Sequence, residues 1–508
     1  MAEKSKQGRR LLIVTPEITY LPEGMGNLAN HLTAKAGGLA DVSASLVSCL
    51  YEREVDVHVA LPNYRAMFNR KVADIHNAQL EQYRRRLSED RIHLAEDRCF
   101  YYRESVYDDY AVQNMKLSLA FQREVINNII PRVKPDIIHC NDWMTGLIPA
   151  VARFLKIPSL FTVHNIHSLK ANLAHIEESG IDAAAFWPYL YFDRIPRNYE
   201  ESRENNRVDF LTSGIFAATA VNTVSPTFLS EIIQGHHDFV AEAIQKEFIR
   251  KSRDGMAVGV LNSPDPNYDP EVDNALLSRY TPDQFRQAKT RNKLALQQGL
   301  GLIESADAPL FFWPSRLDPG QKGCQLLADI LYELVKTYAR ENFQVVMVAN
   351  GPFQKTFHEI VRRHDLHGRV SICDFDERLS RLGYAAADFL FMPSRFEPCG
   401  LPQMIGPIYG TLPIAHDTGG IHDTVRHLSV SQDSGNGFLF EVYDTAGLRW
   451  ATDQAMQFHR LPEATRDAQI ARVMREGKAT FNQEVTADRY VAIYRRLLEM
   501  NQSPEQAP

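Results

Sequence analysis

Residues 309–350, PLFFWPSRLDPGQKGCQLLADILYELVKTYARENFQVVMVAN, read as strand, loop, helix and strand. PLFFWPS (309–315) and QVVMVAN (344–350) are apolar runs of the kind that strands covered on both faces require. Between them KGCQLLADILYELVKTYA (322–339) is strongly amphipathic and helical. A helix between two such strands implies a parallel pair, because parallel strands need a long crossover. The chain opens on the same unit: LLIV (11–14), a Gly-containing loop (22–38), one helical face of Leu39, Val42, Leu46, Val47 and Leu50, and the alternating VDVHVALP (55–62). DIIHCN (136–141), SLFTVHN (159–165) and AVNTVS (220–225) extend the first set of strands. RVSICDF (369–375), ADFLFMPS (387–394) and TLPIAHD (411–417) extend the second.

Strand–helix alternation that starts twice predicts two α/β domains with mostly parallel sheets. The 508-residue length agrees, since single cores stop growing at roughly 250–300 residues. SPDPNYDPEVD (263–273), rich in proline and without apolar periodicity, reads as the linker. Residues 168–206 read as a polar-aromatic surface insertion, and NQSPEQAP (501–508) as a frayed tail.

Composition narrows the function. With 44% hydrophobic and 23% charged residues the chain is an ordinary folded protein. Its 56 Lys+Arg against 63 Asp+Glu leave a net charge of −7, which argues against nucleic acid or an anionic membrane as partner. An anionic ligand would need cations gathered locally. The six cysteines are scattered without a C-x-x-C pair, as in a reduced, cytoplasmic protein. MAEKSKQGRR followed only by LLIV is not the pattern of a signal peptide, and no run approaches a membrane span.

Ligands of parallel α/β sheets bind beyond the carboxyl ends of the strands, and the unusual residues fall there. SRFEPCGLPQMIGPIYGTLPIAHDTGGIHDTV (394–425) follows a strand, carries Glu397 in the turn, and enters a helix through Cys399, Gly400 and Leu401. Amides at such a helix start can approach a phosphate, and a carboxylate one turn earlier can hold sugar hydroxyls. This stretch closely resembles the bacterial glycogen synthases and plant starch synthases, whose signature is E-P-C-G-L. The following GTLP and TGG-x-x-D-T-V are similar as well.

The resemblance spans nearly the whole chain. KAGGLADV (35–42) is similar to the family's KTGGLADV, which implies that Lys35, Gly37 and Gly38 approach the donor diphosphate and makes Asp41 a further candidate. HCNDWMTGLIPA (139–150) resembles the family's H-D-W-H region and implies that Asp142 meets the acceptor or the reacting hydroxyl. TVHN (162–165) implies that His164 contacts the donor glucose. SRLDPGQKG (315–323) resembles S-R-L-x-x-Q-K-G, and by that likeness Arg316 and Lys322 clamp the diphosphate. VNTVSPT (221–227), GVLNSPD (259–265) with Asn262, GNGFLF (435–440) and the helix 486–500 match too, and Phe375 stands where the family often stacks a Tyr on the base.

The family's fold is GT-B: two Rossmann-like domains facing across a cleft, here expected as 1–262 on the glucan side and 263–484 on the nucleotide-sugar side. A terminal helix, 485–500, would pack back on the first. The implied reaction is retaining transfer of glucose from ADP-glucose or UDP-glucose to the non-reducing end of an α-1,4-glucan, glycogen or a maltooligosaccharide. It needs no metal and no cofactor beyond the co-substrate. Asp374-Phe375-Asp376 is a D-x-D of the sort that holds a divalent metal in other glycosyltransferases, but such tripeptides are common by chance.

Departures from the family pattern bear on activity. The Arg316–Lys322 loop is one residue longer, Pro402 replaces Thr, Ala36 replaces Thr, Ser263 replaces Gly, and Thr212 replaces Lys. The two arginines that often precede T-G-G fall in the A-H-D of Ala415–Asp417, and the loop 20–34 is longer than usual. Two alternatives therefore stand beside the main reading: transfer to another acceptor, and a weakly active glucan-binding homologue.

Overall fold

A computed structural model describes residues 9–26, 29, 32–68 and 91–501. The tail 502–508 and part of the loop 20–34 lie outside the described residues. The chain divides into two compact units, one of Met1–Asn262 with Gln483–Pro508 and one of Ser263–Asn482.

The first unit is built on a seven-stranded sheet. Its strands are β1 (Arg10–Val14), β2 (Asp56–Pro62), β3 (Ile92–Ala95), β4 (Ile137–Asn141), β5 (Ser159–Val163), β8 (Ala220–Thr223) and β9 (Ala257–Gly259). Their order is β3-β2-β1-β4-β5-β8-β9, every pair parallel. Strand β1 lies between β2 and β4, and Leu11–Val14 are buried, which is why the run contains no polar residue. A two-stranded antiparallel ribbon, β6 (Lys170–Ala171) with β7 (Val208–Asp209), completes the first unit's strands among the described residues.

Residues 168–206 are not a surface insertion. Leu173, Ile176, Ile181, Phe186, Leu190 and Phe192 pack with Leu119, Leu147 and Phe210 into a buried cluster of their own. The segment reads as irregular because short helices such as Leu173–Glu178 and Tyr199–Asn205 are too brief to display a period.

The helix Gln483–Met500 belongs to the first unit through buried polar bonds. Thr162 Oγ1 donates to Asn222 Oδ1 at 2.6 Å, so His139 Nε2, also 2.6 Å from that hydroxyl, must be the N–H that donates to it. His139 Nδ1 is then the acceptor for the Tyr494 hydroxyl at 2.8 Å, and Asn222 Nδ2 donates back to the Tyr490 hydroxyl at 3.2 Å. Burial pulls the His139 pKa down to about 3, in keeping with this neutral tautomer. The network ties β4, β5 and β8 to the helix with each polar atom named here satisfied.

The second unit carries a six-stranded parallel sheet. It comprises β10 (Leu310–Trp313), β11 (Gln344–Val348), β12 (Val370–Cys373), β13 (Phe389–Met392), β14 (Leu412–His416) and β15 (Phe438–Phe440) in the order β12-β11-β10-β13-β14-β15. Phe311, Phe312 and Trp313 are fully buried in its centre. Each such side chain contributes roughly 1.5–3 kcal/mol by leaving water. The proline-rich stretch 263–273 is packed structure of this unit and not a loose linker. The Tyr409 hydroxyl donates to Asp273 at 2.5 Å, and Arg381 lies 4.1 Å from the Tyr268 ring centroid and donates to the Asn267 carbonyl at 2.8 Å.

In each sheet the strand order reverses direction once near the middle, between β1 and β4 and between β10 and β13. Connections leaving such a pair diverge and open a crevice at the strands' carboxyl ends. No helix of the described residues is long and apolar enough to cross a membrane.

Candidate functional site

In the first unit the loop after β1 and the turn after β4 hold the sequence-predicted residues. Lys35, Gly37 and Gly38 are exposed at the start of the helix Gly38–Glu52, while Asp41 is buried one turn in. Lys35 Nζ lies 2.8 Å from Asp41 Oδ2, and Asp41 Oδ1 accepts the Thr19 hydroxyl at 2.6 Å. Beneath them is a residue the sequence did not flag, Glu17. Its Oε2 accepts the amides of Ala36 at 2.7 Å and Gly37 at 3.0 Å, and Oε1 accepts the Tyr107 hydroxyl at 3.2 Å. Burial raises the Glu17 pKa, against the lowering effect of those donors. An acid just past a buried strand was the available signal.

Asp142 stands at φ 57° and ψ −179°, a region almost confined to glycine, which costs about 1–3 kcal/mol. It does not cap the short helix that follows. Its Oδ1 accepts the His164 amide at 2.7 Å and its Oδ2 the Asn165 side-chain amide at 3.1 Å, so the strained turn after β4 is clasped to the turn after β5. Burial pushes the Asp142 pKa up to about 7, only partly offset by those bonds. His164, half-buried, has its pKa pulled down to about 3 by burial. Its Nε2 is 2.9 Å from Asn141 Oδ1, whose amide nitrogen donates to the Val14 carbonyl at 3.2 Å. The oxygen can only accept, so Nε2 carries the proton and Nδ1 presents a lone pair suited to a sugar hydroxyl. Asn262 is buried at the end of this unit with its Oδ1 lacking a hydrogen-bond partner among the described residues.

In the second unit the loops after β10 and β13 meet. Arg316 is exposed. Asp318 Oδ1 accepts the amides of Gly320 at 2.8 Å and Gln321 at 3.2 Å, and its carbonyl accepts the Lys322 amide at 3.0 Å. This tight turn brings Lys322 to the end of β13. Lys322 Nζ lies 2.6 Å from Glu397 Oε2, which also accepts the Ser394 hydroxyl at 3.0 Å. Glu397 is 5% exposed, so this carboxylate is held, buried and charge-paired, at the end of β13.

The turn Cys399–Gly400–Leu401 precedes the short helix Pro402–Ile408, with Pro402 at its first position. Gly400 has φ +74° and a Cβ there would lie 2.9 Å from Glu397 Cγ, so only glycine fits. Gly420 donates its amide to the Glu397 carbonyl at 2.9 Å, and a Cβ on it would come within 2.1 Å of the Cys399 carbonyl oxygen. The T-G-G loop thus seats the glutamate turn. Phe375 is 52% exposed after β12, its amide donating to Asn350 Oδ1 at 2.9 Å. Within the D-x-D, Asp376 caps the helix Glu377–Ala386 through the Leu379 amide at 2.7 Å, and Asp374 accepts from Gln354 at 2.9 Å. Both carboxylates have structural uses.

Three groups result. Lys35, Gly37, Gly38 and Asp41 form one group and Asp142 and His164 another in the first unit. Arg316, Lys322, Glu397, Cys399, Gly400 and Leu401 share the β10 and β13 loops of the second, with Phe375 after β12.

Comparisons with known proteins follow the same division. The family profile of the starch synthase catalytic domain matches residues 11–246, and that of glycosyl transferases group 1 matches residues 308–457. The glycogen synthase of Syntrophotalea carbinolica is 31% identical over 500 residues, covering 92% of this chain and 97% of that protein. That of Bacillus subtilis is 29% identical over 453 residues, covering 84% and 88%. Among solved structures, the catalytic domain of starch synthase IV from Arabidopsis thaliana, bound to ADP and acarbose, aligns with a TM-score of 0.78 at 24% identity, over 97% of this chain and 100% of that one. Sucrose-phosphate synthase from Thermosynechococcus elongatus aligns with a TM-score of 0.58 at 16% identity, over 97% and 100%. These likenesses identify the pair of Rossmann-like sheets as the GT-B fold.

Proposed function

The chain belongs to the glycogen and starch synthase family of hexosyltransferases, and from that premise we propose that it is a retaining glucosyltransferase using ADP-glucose or UDP-glucose to extend an α-1,4-glucan. The observation that carries this reading is the buried Glu397, held between Lys322 and Ser394 where a strand of the second sheet ends.

The first unit takes the glucan side and the second the nucleotide-sugar side. Arg316, Lys322 and the amides around Gly400 hold the diphosphate, and Lys35, Gly37 and Gly38 add to its binding. Phe375 offers its exposed ring to the base, and Asn262 its buried Oδ1 to the donor. Glu397 and the His164 lone pair orient the glucose, and Asp142 faces the acceptor. The bond from glucose C1 to the diphosphate oxygen breaks as C1 bonds the acceptor's 4-hydroxyl oxygen. The proton of that hydroxyl passes to the departing phosphate on the same face, so configuration is retained. No metal or cofactor takes part. The enzyme acts in the cytoplasm, in keeping with its six cysteines, all free thiols.

Labelled-glucose incorporation into glycogen, run in parallel with ADP-glucose and UDP-glucose, tests the reading. Incorporation from one or both is expected; none from either overturns it.

A further inference from the structure

The geometry points to His416 as a positioning residue for Glu397, an inference that rests on the function proposed above. His416 is the last residue of β14 and is 8% exposed. It stands in the A-H-D that replaces the arginines usual before T-G-G. In the sheet Met392 of β13 pairs with Ala415 of β14, so Ser394 and His416 sit just where two neighbouring strands end.

His416 Nδ1 is 2.8 Å from the Ser394 carbonyl oxygen. A carbonyl only accepts, so Nδ1 is the nitrogen that carries the N–H. The ring is wedged against Phe440, with centroids 5.4 Å apart, and Tyr443 at 5.0 Å, which fixes its orientation. The Ser394 side chain then donates to Glu397 Oε2 at 3.0 Å, the oxygen that also takes Lys322. His416 thus holds the backbone of the residue whose hydroxyl aims the carboxylate. The contact that carries its effect on Glu397 is the one with Ser394. An arginine bonds through nitrogens at the tip of a long side chain, whereas histidine supplies a short, rigid donor matched to this separation.

The test compares His416→Asn, whose side-chain nitrogen falls where Nδ1 lies, with His416→Gln and His416→Leu, which lack a donor there. Turnover is measured with saturating donor and glycogen, beside donor KM and melting temperature. His416→Leu and His416→Gln are expected to lower kcat by roughly 10–100-fold with donor KM little changed, the signature of a displaced group near the reacting centre. His416→Asn is expected to recover most of that loss. In a Ser394→Ala background, His416→Gln should add little. Equal kcat in the Asn and Gln variants, or full additivity with Ser394→Ala, overturns the inference, even if the Leu variant fails to fold. A wild-type enzyme that transfers no glucose removes the proposed function and this inference with it. An active wild type with indifferent His416 variants removes the inference alone.

Discussion

Lys322 Nζ sits 2.6 Å from Glu397 Oε2, with the two side chains only 12% and 6% exposed. Each charge is therefore stable in the fold chiefly because of the other. Glu397→Ala should abolish nearly all glucose transfer, a loss of at least about a thousandfold in kcat, while donor affinity weakens little, because Lys322 is released to the diphosphate. The same variant should lose roughly 3 kcal/mol in urea unfolding through the unpaired ammonium, and Glu397→Gln less. Near-wild-type turnover in Glu397→Ala would remove Glu397 from the site.

Asp142 makes stability depend on pH in the direction opposite to an ordinary paired carboxylate. Its pKa, raised to about 7 by burial, means that the folded chain holds this proton more tightly than the unfolded chain. That contribution is complete below about pH 4, the unfolded value, and is lost as pH rises through 7. Asp142→Asn cannot lose a proton. Denaturation of wild type and variant at pH 5 and pH 8 should show wild type declining relative to the variant by about 2–4 kcal/mol. Parallel profiles would contradict the buried, protonatable carboxylate.

Two glycines separate packing from ligand binding. A Cβ on Gly420 meets the Cys399 backbone, so Gly420→Ala should shift the Glu397 turn and lower both the melting temperature and kcat. A Cβ on Gly37 meets nothing within 4 Å, and its φ of −160° suits any residue. Gly37→Ala should melt like the wild type, and a raised donor KM in it would report contact with the donor itself. Unchanged kinetics in Gly37→Ala would exclude that contact.

The polar network around His139 predicts a cost far from the chemistry. Tyr494→Phe removes the donor to His139 Nδ1 and should destabilise the first unit by about 1–3 kcal/mol in chemical denaturation. Because burial depresses the His139 pKa to about 3, its contribution is full above about pH 6.5 and drains away as pH falls toward 3. Acid-induced unfolding monitored by circular dichroism should therefore begin at higher pH in the variant.

What could be read before folding was whatever burial writes locally. β1, β4 and β10 were legible because a strand covered on both faces admits few polar residues. Glu397 and Lys322 were legible because their motifs are local, but their 2.6 Å contact joins residues 75 apart in sequence. Glu17, His416 and the strained φ of Asp142 left only a faint local mark, since each acquires its meaning from a partner on another strand or loop. Residues 168–206 misled for the same reason: their apolar side chains find one another across short helices with no period to announce them.

The first unit is interrupted in sequence: the helix that satisfies His139 and Asn222 follows the whole of Ser263–Asn482. The later-synthesised middle of the chain therefore needs nothing made after residue 482 to finish folding, whereas the first-made unit does, reversing the usual order. Until Tyr490 and Tyr494 emerge, β4, β5 and β8 carry unanswered polar groups where a helix should lie. A released chain truncated after residue 482 would hold a complete second unit and an open first one, the state a chaperone would meet.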